Sequence, residues 1–402
     1  MNDIDLRTEL LSGVLKVTKD EVERGLELHR KFIAVDGSCD SPVLWTEEMR
    51  KNALMLIEKK GDYDAILAAN KSFMLKYFET DPEYRSEYVN GLRRSGVSSI
   101  TVTVDHPGFW ECLAWWTYQF DHHGDIHVKY TNVDSIKRAK EEGKVVVMWY
   151  AQHQADYIGR SLDQWETLQR IGVKFAHIAH NQRNFYGDGG EERTDIGLSN
   201  MGIDAVAKMN ELGIIIDTSH TGQQTTLECA KHSKDGIASI HTACRDLFDH
   251  RHNKWDYVLK AIAEGGGVVG IYTNFISDNK VGTLTDWLDH VDHAVNVMGI
   301  DHVGVGTETH ITRGEPVEIV KLHDEWYRSA IHGVKPGDEF YGAYVESLDP
   351  DIRGKELRFH WVDWPNLTIG LVSRGYSDRD IEKIIGGNWL RLYKEVLDKK
   401  KG

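Results

Sequence analysis

The sequence of 402 residues predicts an α/β fold, a (β/α)₈ barrel in one domain over residues 1–402, from three observations. Short apolar runs alternate with amphipathic helical stretches from residue 32 to about residue 308, which is the pattern of a parallel sheet with crossover helices. Several helical stretches end on a glycine, the residue that a helix C-cap favours. The chain has only seven prolines and no low-complexity linker, so no boundary between two domains is indicated.

Eight apolar runs are the expected barrel strands. They are residues 32–40, 98–105, 145–153, 173–180, 213–220, 236–242, 267–274 and 302–308. Eight strands with crossover helices are the number that closes a (β/α)₈ barrel. A helical segment over residues 1–31 precedes the first strand. Helices over 366–400 follow the last strand, with an asparagine cap expected at Asn388 after two glycines.

The chain exceeds a minimal barrel of about 250 residues, and the surplus falls mainly in two insertions. Residues 41–97 follow the first strand, and residues 309–365 follow the eighth. Both insertions leave from the carboxyl ends of strands, the face at which barrel enzymes build their sites. The second insertion is rich in aromatic and charged residues, so it suits a substrate lid or a subunit contact as well as simple packing.

Composition and charge exclude several classes of protein. The formal charge of −15 repels phosphate backbones, so nucleic acid is not an expected partner. The first thirty residues have no apolar leader pattern, and no run of eighteen apolar residues occurs, so we expect no membrane association and a cytoplasmic location. The four cysteines have no paired spacing, which argues against a disulfide framework.

Seven of the eight predicted strands end in an ionisable residue. These residues are Asp40, Asp105 with His106, His153, His180, His220, His241 and Glu308. Because the carboxyl ends of parallel strands meet at one rim, we expect these side chains to converge. Imidazoles and carboxylates are the ligands of Zn²⁺ and similar cations. The sequence therefore predicts a metal or acid–base site at this rim, with a purely structural cluster as the alternative. His177 and His302 are expected to be structural.

Such a metal would have a definite chemical role. A bound Zn²⁺ lowers the pKa of water from about 16 to about 7 and polarises a carbonyl oxygen. A nearby carboxylate then carries the proton. Glu308, at the end of the eighth strand, is the expected catalytic carboxylate, and an ordinary salt bridge at the rim is the alternative for it.

Six motifs, in this order along the chain, carry a resemblance to a known family. They are HNQRNFYGDGGEERTDIGLSNMG (180–202), IDTSHTG (216–222), SIHTACRDLFDHRHN (239–253), GIDHVGVGTE (299–308), PNLT (365–368) and GGNWLR (386–391). In these motifs the chain resembles the renal (membrane) dipeptidase family of barrel metallopeptidases, in its bacterial soluble branch. The resemblance implies a barrel of the metal-dependent hydrolase type, a homodimer, and zinc at the site, usually as two ions.

The resemblance also assigns roles to single positions. It implies that His220 and His241 bind the second zinc and that His180 contacts the substrate and the oxyanion. On the first strand Asp40 matches a zinc ligand, but Ser38 stands where the family has a histidine. His153 aligns with the bridging glutamate, unless a register slip of one residue places Gln152 there.

Glu308 matches the family's acid on strand eight, and His252 aligns with the arginine that holds a substrate carboxylate, with Arg251 and Arg245 close in sequence. Serine is a poor zinc ligand, and without the bridging carboxylate two neighbouring cations repel each other. The sequence therefore favours one Zn²⁺, held by His153, His220 and His241 together with Asp40. Two ions in an altered geometry, or no metal, are the alternatives.

The predicted function is that of a metal-dependent hydrolase of a small amide or dipeptide-like substrate. In this interpretation Glu308 or Asp40 manages the proton and His180 stabilises the oxyanion. A repurposed metal-dependent lyase, decarboxylase or tailoring enzyme of a biosynthetic pathway is the first alternative, because the replaced ligands fit it. A non-catalytic small-molecule binder is the second, and the retained histidines argue against it.

Overall fold

A computed structural model of the chain describes residues 3–13, 15–44, 46–59, 63–104, 109–152, 154–273, 276–277, 283–313 and 364–399. The strands are β1 (Ala34–Asp36), β2 (Cys39–Leu44), β3 (Val97–Thr103), β4 (His127–Lys129), β5 (Val145–Ala151), β6 (Val173–His177), β7 (Ile215–Asp217), β8 (Ala238–Thr242), β9 (Val268–Ile271), β10 (Val303–Val305) and β11 (Thr309–Arg313). Each of the eight predicted runs contains a strand of the main sheet.

The helices are α1 (Asp3–Ser12), α2 (Lys19–Lys31), α3 (Glu47–Glu58), α4 (Tyr63–Thr80), α5 (Pro82–Ser95), α6 (Phe109–His122), α7 (Val133–Glu141), α8 (Gln154–Ile158), α9 (Asp163–Ile171), α10 (Asn200–Leu212), α11 (Gln223–His232), α12 (Asp256–Glu264), α13 (Leu284–Met298), α14 (Trp364–Ser373), α15 (Asp378–Glu382) and α16 (Asn388–Val396). Helices α1 and α2 lie within the N-terminal segment 1–31, for which the sequence predicts helix. Within the described ranges no helix combines the length and the apolar character that a bilayer crossing requires.

The main sheet is parallel, with the strand order β1-β3-β5-β6-β7-β8-β9-β10, and β4 pairs with β5 as an extra strand. The first and last strands of this order meet, because the Gly37 amide donates to the Val305 carbonyl oxygen over 2.9 Å. A Cβ on Gly37 would lie 2.5 Å from the Trp389 ring, so this close approach requires glycine. The fold is the predicted (β/α)₈ barrel.

The chain beyond the barrel strands is only partly described. The insertion after the first strand holds β2 and the helices α3, α4 and α5. Of the predicted insertion over 309–365, residues 314–363 lie outside the described part of the chain. Strand β11 pairs in parallel with β2, with Thr309 opposite Cys39. This ribbon extends the first and last barrel strands past the rim.

Helix α16 closes the amino-terminal end of the barrel. Trp389 is fully buried, and Arg391 donates to the carbonyl oxygens of Gly266 (2.9 Å) and Asp301 (3.0 Å), which precede β9 and β10. The predicted cap at Asn388 is wrong, because a π-helical turn over Lys383–Gly387 runs into α16 without a break. The carboxyl ends of the strands therefore form the other end of the barrel, where the ionisable residues lie.

The buried His29 of α2 should make folding stability depend on pH. Its Nε2 lies 2.7 Å from the Ser95 carbonyl oxygen and its Nδ1 lies 2.9 Å from the Thr368 hydroxyl. Burial lowers the pKa of His29 to about 4. Between pH 6.5 and pH 4 the His29 imidazole binds a proton in the unfolded chain but not in the folded chain. The free energy of unfolding therefore falls as the pH falls, by about 1.4 kcal/mol per pH unit.

Chemical denaturation of the wild type and of His29→Gln at pH 7.5 and pH 5 measures this dependence. The wild type should lose about 2 kcal/mol more than the variant over this interval, because only the part below pH 6.5 contributes. Equal losses of unfolding free energy in the two proteins would contradict the assignment of this pH dependence to His29. The His302→Gln variant is a useful control, because that ring is half-buried and its Nδ1 lies 2.8 Å from the Gly267 carbonyl oxygen.

Candidate metal centre

Three ionisable side chains from three strand ends meet at the rim of the barrel. They are His220, which follows β7, His241 in β8, and Glu308, which follows β10. One ligand atom of each lies within 4.8 Å of the other two. The Glu308 Oε1 atom is 3.4 Å from Nε2 of His220 and also 3.4 Å from Nε2 of His241. The fold therefore brings together the two histidines and the acid that the sequence places at this rim.

The His220 ring is oriented by Asn181. Its Nδ1 lies 2.7 Å from the Asn181 side-chain oxygen, an acceptor, so Nδ1 carries the proton and donates it. The lone pair is then on Nε2, the nitrogen that faces Glu308. A histidine that binds a metal through one nitrogen commonly donates the other N–H to such an acceptor. His220 is therefore prepared as a ligand.

His241 is buried, with 3% of its surface exposed, and burial lowers its pKa to about 4. The ring is therefore neutral at neutral pH. Within the described part of the chain neither ring nitrogen makes a hydrogen bond. A buried polar group without a hydrogen bond destabilises a fold by about 1–3 kcal/mol, so native structures rarely retain one without a reason. A cation bound through His241 would supply that reason.

The backbone of Glu308 is strained. Its φ angle is 52°, in the left-handed region, and among the described non-glycine residues only Lys16 shares this conformation. A residue of this type in that region costs about 1–3 kcal/mol, and such strain is concentrated at functional sites. The Glu308 amide donates to the Ser38 carbonyl oxygen over 2.9 Å, which stabilises the turn. The Glu308 side chain keeps 20% of its surface exposed, so a small molecule can reach it.

The distances in this cluster fit a zinc ion. Zinc binds histidine nitrogen and carboxylate oxygen at about 2.0–2.2 Å, so two ligands of a tetrahedron lie roughly 3.3–3.5 Å apart. The two 3.4 Å separations from Glu308 Oε1 agree with that spacing. The donor set, two imidazoles and a carboxylate, matches catalytic zinc sites. These residues therefore fit the metal that the sequence predicts.

The other two members of the predicted ligand set, His153 and Asp40, lie wholly or partly outside the described residues. His153, together with Asp105 and His106, lies outside the described residues. The backbone of Asp40 lies in β2, opposite His310 of β11, but its side chain is outside the described part of the chain. The predicted roles of His153 and Asp40 therefore stay predictions.

His180, the predicted oxyanion residue, lies beside the cluster and is half-buried. Its ring stacks on His220 with centroids 4.3 Å apart. Gln152 places its side-chain nitrogen 2.8 Å from Nε2 of His180, while its oxygen accepts from the Thr103 hydroxyl at 3.4 Å. Nε2 of His180 is thus an acceptor, which leaves the ring proton on Nδ1. Gln152 is neutral and cannot act as a bridging carboxylate.

His252 also lies at the cluster, with its ring centroid 4.3 Å from that of His220. It is buried, and burial lowers its pKa well below the ordinary value, so it is neutral. The Nε2 atom of His252 lies 3.4 Å from Oε1 of Glu191, whose side chain is 2% exposed. The subsite at His252 therefore pairs a neutral imidazole with a carboxylate.

The two arginines predicted near the substrate differ in position. Arg245 donates to Asp249 over 2.6 Å and stacks on the Trp255 ring at 4.8 Å. Its charge is therefore partly neutralised by a neighbour on its own loop. Arg251 is exposed.

Asp217 links the strand ends that carry the two histidines. Its Oδ1 accepts the Ser219 hydroxyl (2.7 Å) and the Ile240 amide (2.8 Å), and the Ser219 hydroxyl accepts the His241 amide (3.1 Å). Its Oδ2 lies 2.7 Å from Nε2 of the fully buried His177. Burial alone would raise the pKa of Asp217, but the charge and hydrogen bond of His177 hold it well below its usual range. His177 is thus structural, as expected.

The prediction from sequence missed Asn181, Glu191 and Asp217. Each lies inside a motif that already drew attention, since Asn181 and Glu191 follow His180 and Asp217 precedes His220. A polar residue next to a predicted ligand was the available signal. That signal did not indicate which polar side chain would contact which histidine ring, because these contacts depend on how the loops pack.

Comparisons with known proteins agree with this geometry. A family model described as membrane dipeptidase (peptidase family M19) matches residues 118–320, about half of the chain. Dipeptidase tcpJ of Claviceps purpurea is 27% identical over 274 residues, 66% of this chain and 54% of that protein. Dipeptidase verJ of Clonostachys rogersoniana is 28% identical over 242 residues, 60% of this chain and 52% of that protein. The chain thus spans about half the length of these curated relatives.

A solved structure, an amidohydrolase from Pseudomonas aeruginosa, covers 92% of this chain and 98% of its own, at 24% identity and a TM-score of 0.67. This likeness supports the barrel fold over nearly the whole chain. The family match supports the order of motifs from His180 to Glu308. By its fold and its motifs, the chain belongs to the membrane dipeptidase family, peptidase family M19.

Proposed function

We propose that the protein is a metal-dependent hydrolase of a small amide or dipeptide-like substrate, with one Zn²⁺ held by His220, His241 and Glu308. The observation that carries the proposal is the buried His241 ring, whose nitrogens make no hydrogen bond in the described chain, facing a carboxylate oxygen at 3.4 Å. His153 and Asp40 are the further ligands that the sequence favours. Ser38 stands where the resemblance places a histidine ligand, and His153 stands where it places the bridging glutamate, which supports one ion rather than two.

When bound, a zinc ion lowers the pKa of water from about 16 to about 7 and polarises a carbonyl oxygen. Hydrolysis forms a bond from the water oxygen to the amide carbon and breaks the carbon–nitrogen bond. One proton must therefore pass from the water to the leaving amine. Glu308 faces both imidazoles and is partly exposed, so we assign it this proton transfer.

We assign to His180 the role of stabilising the negative charge that develops on the carbonyl oxygen of the substrate. Because Gln152 donates to Nε2, the N–H that His180 offers is on Nδ1. A neutral N–H held in place before the reaction is an effective oxyanion donor. The stacking of His180 on His220 places this donor next to the proposed ligand set.

The subsite at His252 argues for a substrate without a free carboxylate at that end. His252 is neutral, and the ionised form of Glu191, whose Oε1 lies 3.4 Å from Nε2 of His252, would give this end of the site a negative charge. Of the two arginines in this motif, Arg245 is paired with Asp249, and Arg251 is exposed. A carboxylate here would meet repulsion, whereas an amide or an amine would not.

The test is a comparison of alanyl-alanine with its C-terminal amide as substrates of the zinc-loaded chain. We expect about one equivalent of zinc by elemental analysis, hydrolysis of both compounds, and kcat/KM at least tenfold higher for the amide, since removing one unfavourable charge contact of about 1.4 kcal/mol gives a factor of ten.

Each contrary outcome identifies an alternative. A zinc-replete chain that hydrolyses neither compound points to the lyase or tailoring enzyme. A chain that binds no metal is the small-molecule binder. A preference for the free dipeptide contradicts the assignment of the His252 subsite. The homodimer and the cytoplasmic location stay predictions.

A further inference from the structure

The carboxylate of Asp36 lies buried where the first and last barrel strands meet. Asp36 is the last residue of β1 and is 0% exposed. Its Oδ1 accepts the amides of Thr307 (2.9 Å) and Ser38 (3.3 Å). Its Oδ2 accepts the Thr307 hydroxyl (2.7 Å) and the Trp364 indole N–H (3.1 Å). Because it is enclosed by the protein, Asp36 cannot touch a substrate.

Thr307 is held from two sides. Asp36 accepts both of its donors, and its carbonyl oxygen accepts the Thr273 hydroxyl of the neighbouring segment over 2.9 Å. The next residue is Glu308, which has the left-handed φ angle of 52°. A strained conformation persists only where surrounding contacts determine it. The hydrogen bonds from Thr307 to Asp36 constrain the residue before Glu308, and the bond from the Glu308 amide to the Ser38 carbonyl oxygen constrains Glu308 itself.

We propose that Asp36 is a positioning residue for Glu308. It fixes Thr307, and thereby keeps the Glu308 carboxylate 3.4 Å from the Nε2 atoms of His220 and His241. The inference rests on the proposed metal site, and it assigns to that site a support that the sequence motif alone does not reveal. Asp36 acts through Thr307 rather than by contact with a ligand.

The chemistry of the site explains why this residue is an aspartate. A carboxylate is an acceptor only, and here it faces four donors from three segments of the chain. Asparagine has nearly the same size, but its NH₂ group would face two of those donors. Asp36→Asn therefore disturbs a hydrogen bond from Thr307, together with that from either Ser38 or Trp364, without creating a cavity.

The experiment measures the zinc affinity of Asp36→Asn by competition with a chromophoric chelator, with circular dichroism to verify the fold. We expect the Kd for zinc to rise at least tenfold, the lower end of the effect of losing a group that orients a metal ligand. Thr307→Val, which removes only the hydroxyl donor, should raise the Kd by a smaller factor. If Asp36→Asn does not fold, the zinc Kd of Thr307→Val tests the same contact between Asp36 and Thr307.

Asp398 offers a matched control. Its carboxylate also accepts one hydroxyl, from Tyr130 at 3.0 Å, and one backbone amide, from Val133 at 3.0 Å. It follows α16, at the closed end of the barrel. Asp398→Asn should lower thermal stability and leave the zinc Kd unchanged. Equal zinc affinities for Asp36→Asn, Asp398→Asn and the wild type would overturn the proposal.

A second measurement separates positioning from general stabilisation. In a Glu308→Gln background Asp36→Asn should add less than a twofold further change in zinc Kd, because the group it positions is already altered. The same tenfold change in both backgrounds would also overturn the proposal. Failure to hydrolyse any dipeptide contradicts the proposed function, whereas the zinc Kd reports on the positioning independently of turnover.

Discussion

Replacing His220 by alanine is expected to remove metal binding and hydrolysis together. His220 supplies one of the two imidazoles of the proposed ligand set, and its Nδ1 is oriented by Asn181 so that Nε2 faces Glu308. Catalytic zinc is typically held by three protein ligands, and loss of one leaves too few. We expect the zinc content of His220→Ala to fall from about one equivalent to below 0.1, and kcat/KM to fall at least a thousandfold.

Elemental analysis and steady-state kinetics on the same preparation check this result. The control is His302→Ala, because Nδ1 of His302 bonds the Gly267 carbonyl oxygen, outside the cluster. That variant should keep its zinc and its turnover while losing some thermal stability. Unchanged activity in His220→Ala would mean that the proposed metal site is wrong.

Glu308→Gln is expected to have the second largest effect. Glutamine keeps the shape of the side chain but cannot take a proton from water, and it removes the negative charge that faces His220 and His241 at 3.4 Å. General acid–base catalysis contributes about 10²–10⁴ to a rate, so we expect kcat to fall at least a hundredfold. The zinc Kd should rise about tenfold, because the anionic donor has become neutral.

The measurement is kcat together with zinc affinity, which separates the two roles of Glu308. The control is Glu228→Gln in α11, whose carboxylate accepts the Leu198 amide over 2.7 Å, and which should keep both properties. A Glu308→Gln enzyme with wild-type kcat would refute the assigned proton transfer. Loss of kcat with unchanged zinc affinity would refute only its place in the ligand set.

Much of the fold follows from local pattern. Alternating apolar runs and capped helices predict the parallel barrel, since each run forms a strand buried on both faces and each amphipathic stretch covers it. Asn388 shows where local pattern is insufficient. Its two preceding glycines resemble a helix end, but a Cβ on Gly386 would lie 2.1 Å from the Ile33 carbonyl oxygen. Those glycines allow close packing against the chain before β1, and the helix continues.

The convergence of His220, His241 and Glu308 was predictable for a geometric reason. In a parallel barrel every strand ends at the same rim, so a residue's position at a strand end is enough to place it there. The proposed metal chemistry then follows from residue type. Asn181 and the pairing of His252 with Glu191 were not predictable, since each joins a loop to a residue far away in sequence.

By itself the sequence determined the barrel, the rim and the residues to which we assign the proposed chemistry, because strand period, capping and residue type are local properties. Only the tertiary structure decided which nitrogen of His220 faces Glu308 and that His252 lies next to Glu191. It also decided that Asp36 binds Thr307, just after the last barrel strand. Hydrogen-bond direction and burial depend on partners from distant segments. Those partners meet only when the barrel closes.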